Sequence, residues 1–206
     1  KAAGFDPADR RPSLSWVDFL ARHKEVWAVD FFTIETTFFQ TFYVFVIIEI
    51  HSRKLIDIAV TSSPTADFVK TVLRNNLAFR SGPDLIIRDR DPKYGKDFNK
   101  KIKELYGSRV IAVSSYSPNL NAYCERVIGS IQRECTDHFL CFNSTHIQRV
   151  VSSYKTYYNE QRPHQGIGQK IPENPTEILD LKEKSVKSVK AETVLGGLHH
   201  HYFYAA

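Results

Sequence analysis

The sequence has no methionine, three cysteines and no long uninterrupted apolar run. Three cysteines (Cys124, Cys135 and Cys141) in 206 residues are too few for a disulfide framework. The opening stretch KAAGFDPADRRP is polar and does not read as a secretory leader. A reducing, cytoplasmic setting is therefore expected. The most apolar stretch, Phe38 to Ile50, is too short for a membrane span and is interrupted by Gln40, Thr41 and Glu49. Neither sign of charge dominates: 28 Lys+Arg against 23 Asp+Glu leave +5, which permits a nucleic-acid partner without demanding one. There is no internal repeat and no low-complexity block. With no initiator methionine, the chain is expected to be a piece of something longer.

What is present points to a packed fold. Hydrophobic residues make up 42% and aromatics 13%, which excludes a mainly disordered chain and suits one globular domain with a sizeable core. Residues 1–23 read as a lead-in with a short helix over Ser15–His23, residues 24–180 as the core domain, and residues 181–206 as a separate C-terminal appendage. Val26–Phe32, Thr41–Ile50 and Lys54–Val60 read as strands joined by short links, which makes them antiparallel neighbours. Phe42, Val44, Val46 and Ile48 alternate with Tyr43, Phe45 and Ile47, so the second strand is apolar on both sides and belongs in the middle of a covered sheet. After Ser63-Pro64-Thr65 the period becomes helical through Phe68, Val69, Val72, Leu73 and Leu77. Asp84–Arg88 and Val110–Val113 are short strands, separated by a helix that Gly107 closes. A long helix is expected over Asn119–Leu140, striped by Cys124, Ile128, Ile131, Cys135 and Phe139, and another over Thr145–Asn159. The order β-β-β-α-β-α-β-α-α implies an α/β fold: a mixed five-stranded sheet, three antiparallel strands then two parallel ones, flanked by helices on both faces.

Three carboxylates stand out. Asp30 sits inside an apolar strand, Asp89 just after a strand, and Glu125 in the first turns of the long helix. A carboxylate within core sequence is costly unless something compensates it. Magnesium, which prefers hard oxygen ligands, would do so, and three carboxylates meeting at one sheet edge could seat two ions suited to displacement at phosphorus. Asp91 competes with Asp89 for the second position, but it precedes Pro92 and reads as a turn residue.

With WAVDFFTIET around Asp30, IIRDRDPKYG around Asp89, SPNLNAYCERVIGSIQRECTDH around Glu125 and the later YYNEQRPHQGIGQKIPENP, the chain resembles the catalytic core of the DDE integrase and transposase superfamily. Within it, the likeness is to the retroviral-integrase-like transposases of bacterial insertion sequences. The 35 residues between Asp89 and Glu125 match that family's spacing, and the likeness runs from about Trp27 to Pro175.

The resemblance implies a ribonuclease-H-like fold. It implies two Mg²⁺ or Mn²⁺ ions held by Asp30, Asp89 and Glu125, and DNA cleavage and strand transfer during integration or transposition. The implied partners are double-stranded DNA, as mobile-element ends and target, and further copies of the chain in a homodimer or higher multimer; no membrane is implied. Asn121, Arg126, Gln132 and Arg133 are candidate DNA contacts. Two alternatives share this architecture: a ribonuclease-H-like nuclease acting on RNA–DNA hybrids, and a catalytically silent DNA-binding or assembly module.

The chain departs from the family pattern twice. Gln132 stands where a basic residue commonly follows the glutamate by seven positions, and the neighbouring Arg133 points about 100° away around the helix. The second motif reads Asp89-Arg90-Asp91 rather than Asp-Asn-Gly. Among the remaining features, Glu134 reads as a solvated helix residue, and Arg162 and His164 as part of a structural turn. Cys135 and Cys141, with His138 and His146 nearby, lack the spacing of a zinc module.

Overall fold

The computed structural model describes residues 16–78, 82–113, 122–174 and 189–204. Helix α1 (Trp16–Ala21) leads into three strands, β1 (Val26–Glu35), β2 (Thr41–Glu49) and β3 (Leu55–Thr61). Helix α2 (Ala66–Leu77), strand β4 (Leu85–Arg88), helix α3 (Phe98–Tyr106) and strand β5 (Arg109–Ala112) follow. Helices α4 (Ala122–Glu134) and α5 (Ser144–Glu160) come next. The strands lie in the order β3-β2-β1-β4-β5. The first three pair antiparallel, and β4 and β5 join them in parallel. This is the expected mixed sheet.

The two-sided pattern of β2 becomes two cores. On one face Val44, Val46 and Ile48 join Ala28, Phe32 and the inner sides of α4 and α5, including Cys124, Ile131, Ile147 and Val151. On the other, Phe45 and Ile47 join Trp27, Val29 and the α2 and α3 residues Val69, Leu73, Phe98 and Ile102. Each large side chain buried in this way contributes about 1.5–3 kcal/mol, which is why β1 and β2 sit at the centre.

Local signals set the helix ends. Thr65 caps α2 by accepting from the Phe68 N–H at 3.2 Å. Gly107 ends α3 in the left-handed region at φ 73°, its N–H donating to the Lys103 carbonyl.

Strand β3 lies at the edge of the sheet, where unpaired backbone groups invite aggregation. Side chains of α5 cover it. Asn159 donates to the Leu55 carbonyl and accepts from its N–H, both at 2.9 Å. Gln148 does the same for the Ile58 carbonyl and the Val60 N–H. Lys155 donates to the Ile56 carbonyl.

The structure differs from the sequence expectations in three places. The helix expected to reach Leu140 ends at Glu134, because Cys135 leaves helical geometry (φ −139°, ψ −76°) and Thr136–His138 form a separate turn. The His138 ring then hydrogen-bonds the Arg133 carbonyl at 2.8 Å, satisfying one of the acceptors freed at the helix end. Strand β1 runs three residues past Phe32. Finally, part of the segment set apart as an appendage is a hairpin of β6 (Val189–Val194) and β7 (His199–Tyr204) that leans on the core. Its Leu195 packs against the α4–α5 side, and the His199 ring stacks on Tyr157 at 4.4 Å. Among the described residues, no helix is long and apolar enough to cross a membrane.

Candidate carboxylate site

Strands β1 and β4 run parallel with Val29 opposite Arg88. The next residues along the two strands are Asp30 and Asp89, so the register alone brings these carboxylates side by side at the rim where β4 stops. Helix α4 packs against β1 and β2, and its Glu125 is close enough to Asp30 to raise that carboxyl's pKa. Cys124 on α4 is fully buried, and its thiol is pushed well up by burial and by the nearby charges of Asp30, Asp89 and Glu125. Glu125 follows it on the exposed side of the helix. Three residues far apart in sequence therefore share one electrostatic neighbourhood.

That neighbourhood is costly for negative charge. The carboxyl of Asp30 is pushed up to about 7, first by burial and then by the charges of Asp89, Glu125 and Asp91. The Phe31 N–H, donating to its Oδ1 at 2.8 Å, pulls the other way. Asp89 is also raised, chiefly by burial, and its Oδ1 is buried without a hydrogen-bond partner. A buried, unsatisfied carboxylate oxygen beside a second carboxylate that resists ionising suits a bound cation.

The surrounding side chains hold the rim rigid. Arg88 donates to the Asp89 carbonyl at 2.7 Å, to the Asn99 Oδ1 at 2.9 Å, and lies over the Tyr94 ring at 4.8 Å. The buried Tyr94 hydroxyl donates to the Val29 carbonyl at 3.4 Å, tying the loop after β4 back to β1. Asp91 behaves as a turn residue: it accepts from the Lys93 N–H at 2.8 Å and pairs with the Lys93 ammonium. Burial works to raise Asp91, but its bonds to Lys93 hold it below the usual carboxylate range.

The donor set is all oxygen, which fits a hard divalent cation of the magnesium class. The side chains are not drawn in to coordination spacing: among the described residues no three His, Cys, Asp or Glu form a group that could hold a metal as they stand. The fit therefore rests on the orphaned Asp89 oxygen and the suppressed ionisation of Asp30.

Of the candidate DNA contacts, Asn121 lies outside the described residues. Gln132 is half-buried on α4 and Arg133 exposed. Arg126 lines a cleft on a different side of α4 from the carboxylates.

Glu134 overturns the expectation of a solvated residue. It is half-buried, accepting from Arg162 Nε at 2.7 Å and from the Tyr154 hydroxyl at 2.8 Å. Burial works to raise its pKa, but these two donors hold it below the usual range. The missed signal was pairing over a distance: Arg162, 28 residues on, lies in a turn whose partner periodicity cannot reveal. His164 is buried, and its ring hydrogen-bonds the Tyr158 carbonyl at 2.9 Å.

The chain is similar to several known proteins. Two family models, both described as integrase core domain, match residues 21–118 and 106–172. An uncharacterized 31.7 kDa protein of insertion element IS407 from Burkholderia multivorans is 23% identical over 148 residues. An uncharacterized 39.2 kDa protein of insertion element IS476 from Xanthomonas euvesicatoria is likewise 23% identical over 148 residues. Both matches cover 72% of this chain, which spans about half the length of these relatives, 53% and 42% respectively. Among solved structures, the HTLV-2 integrase catalytic core domain in complex with magnesium (trimeric form) superposes with a TM-score of 0.54 at 11% identity. It covers 68% of this chain and 87% of its own. The fold is thus ribonuclease-H-like.

Proposed function

This chain belongs to the integrase core domain family, and on that premise we propose that it is the catalytic core of a DNA integrase or transposase. It performs divalent-metal-dependent DNA cleavage and strand transfer as a polynucleotidyl transferase. One observation carries the reading: Asp89 keeps a buried carboxylate oxygen without a hydrogen bond beside Asp30, whose ionisation is suppressed to about 7 by burial and by neighbouring negative charge. Such a pair is a liability unless a cation occupies the rim.

Asp30, Asp89 and Glu125 would hold two Mg²⁺ or Mn²⁺ ions. When bound, the ions supply Lewis-acid chemistry, polarising the scissile phosphodiester and lowering the pKa of the attacking water or DNA 3′-hydroxyl. The chain's own residues do the rest. The β1–β4 register holds Asp30 and Asp89 together. Arg88 and Tyr94 tie the loop after β4 back to β1, which keeps the two aspartates on one rim before substrate arrives. Cys124 and Val127 bury the inner side of α4 and leave Glu125 at the surface, where a DNA backbone can reach it. Asn121, Arg126, Gln132 and Arg133 contact that DNA. The phosphoryl group moves directly from one oxygen to another, so no protein nucleophile is required.

In this reading residues 1–23 are a lead-in, residues 24–180 form the catalytic core, and residues 181–206 are an appendage whose hairpin rests against that core. The partners are mobile-element ends, target duplex and further copies of the chain, acting in the cytoplasm. A strand-transfer assay tests it. Purified protein with Mn²⁺ is expected to join the 3′ end of a labelled duplex carrying the source element's terminal sequence into a second duplex. Degradation of an RNA–DNA hybrid without joining would favour a nuclease, and metal-independent DNA binding without chemistry a silent module.

A further inference from the structure

A second basic feature lies on another side of α4 from Glu125. A cleft of about 460 Å³ opens between the β2–β3 turn, α4 and the segment after α5. Arg53, Arg126 and Arg162 all line it. Their charges are not equivalent. Arg162 is neutralised by its pairing with Glu134. Arg53 and Arg126 have no carboxylate partner among the described residues, so the cleft carries two uncompensated guanidinium groups.

Arg53 is held ready. Its guanidinium lies over the Tyr123 ring at 4.2 Å. Opposite, Gly166 makes room for it: a Cβ there would come within 3.2 Å of Arg53 Nε. The Arg53 backbone itself sits at φ 64°, a conformation that costs a non-glycine residue free energy and that the tight β2–β3 turn imposes. A long, flexible side chain that would ordinarily lose rotamer freedom on binding is thus already confined. His164 adds no charge near neutrality, because burial and the adjacent Arg162 lower its pKa. The amides of Gln165 and Gln169 complete a polar rim.

Two guanidiniums without a carboxylate partner among the described residues, that of Arg53 pre-oriented, suit the non-bridging oxygens of a phosphodiester, which arginine can engage through two hydrogen bonds at once. We propose that this cleft is a phosphate-binding subsite for duplex DNA, seated by Arg53 and Arg126 and separate from the carboxylate rim. The inference rests on the reading that the chain handles DNA. Arg126 follows Glu125 directly, so a duplex crossing the carboxylates has a second anchoring point about 100° further around the same helix. The subsite fixes where the duplex lies and contributes no sequence preference.

The test is metal-free binding of a fluorescein-labelled duplex of arbitrary sequence, measured by fluorescence anisotropy in EDTA across a KCl series. Arg53→Ala and Arg126→Ala are each expected to weaken binding about 3- to 10-fold and to reduce the slope of log K against log salt by about one. Gly166→Leu, which changes no charge but fills the cleft and displaces Arg53, is expected to match Arg53→Ala. Circular dichroism establishes that each variant is folded, and Arg126, exposed on a helix surface, is the least disruptive of the three. If the wild type binds duplex and all three variants keep its affinity and slope, the subsite is wrong while the broader reading stands. If the variants lose affinity for a labelled poly-glutamate peptide but not for duplex, the cleft takes acidic protein segments and the proposal is overturned. If the wild type binds no duplex at all, the broader reading falls and this one with it.

Discussion

Val29 lies directly opposite Arg88 in the parallel pairing of β1 with β4, so the residues that follow them, Asp30 and Asp89, emerge side by side where β4 ends. The carboxylates are neighbours because of backbone register, and burial makes that neighbourhood unfavourable for charge. Most of the expected behaviour of the protein follows from this conflict.

The first consequence is a pH dependence of stability. Asp30 has a pKa raised from 3.8 to about 7 in the folded chain. Between those values the folded state binds more protons than the unfolded one, so stability falls as pH rises through that window. Asp30→Asn, which mimics the neutral form, is expected to match the wild type below about pH 4 and to exceed it by about 2–4 kcal/mol above pH 7. Urea denaturation in EDTA at pH 4, 6 and 8 measures this; equal stabilities at pH 8 would mean that Asp30 is not under strain.

Function should move the opposite way. Asp30→Asn, Asp89→Asn and Glu125→Gln are each expected to reduce strand transfer by about 10²-fold or more while the far-ultraviolet circular dichroism stays unchanged. Near-normal turnover in any one of them would remove that residue from the site.

The Glu134–Arg162 pair offers a stability test away from the site. Glu134→Ala leaves a half-buried guanidinium without its partner and frees the Tyr154 hydroxyl. A loss of about 1–3 kcal/mol is expected. A double-mutant cycle with Arg162→Met should recover about 1 kcal/mol or more of coupling. Because the Glu134 pKa is depressed, the pair's contribution is present above the unfolded value of 4.5 and is lost as pH falls through the folded value. Additive mutations would mean that the two side chains act independently.

Asn159 is 3% exposed and satisfies both backbone groups of Leu55 on the edge strand. Asn159→Leu strands both groups and is expected to cost about 2–4 kcal/mol in thermal or urea unfolding. It should also raise aggregation by uncovering the β3 edge. A variant as stable and as soluble as the wild type would assign the edge cover to Gln148 and Lys155 alone.

Much of this was legible in the residues. The alternation of Phe42 to Ile48 on both sides announced a doubly covered strand, and the spacing Val69, Val72, Leu73 and Leu77 announced α2, because periodicity records which face is buried. Local chemistry marked the caps at Thr65 and Gly107. What escaped notice depended on contacts between distant segments. The end of α4 at Glu134 is set by backbone geometry at Cys135 and by the His138 cap, neither of which breaks the apolar stripe. Glu134 looked like any surface glutamate until the turn containing Arg162 was brought against it. The β6–β7 hairpin had a visible signal in its Gly196-Gly197 turn and the aromatic run HHHYFY, but its docking through His199 on Tyr157 did not. For the site, the acidic trio and its spacing could be read directly, whereas the side-by-side placement of Asp30 and Asp89 required the strand order.

The most direct test of the metal-seat claim is a crystal of the chain soaked in Mn²⁺ near pH 8, with anomalous scattering recorded at the manganese edge. The expected result is an anomalous peak between Asp30 and Asp89, with the Asp89 Oδ1 among its ligands and no corresponding peak in Asp89→Asn. Saturating Mn²⁺ that leaves this rim empty, or scatters only at other carboxylates, would contradict the account.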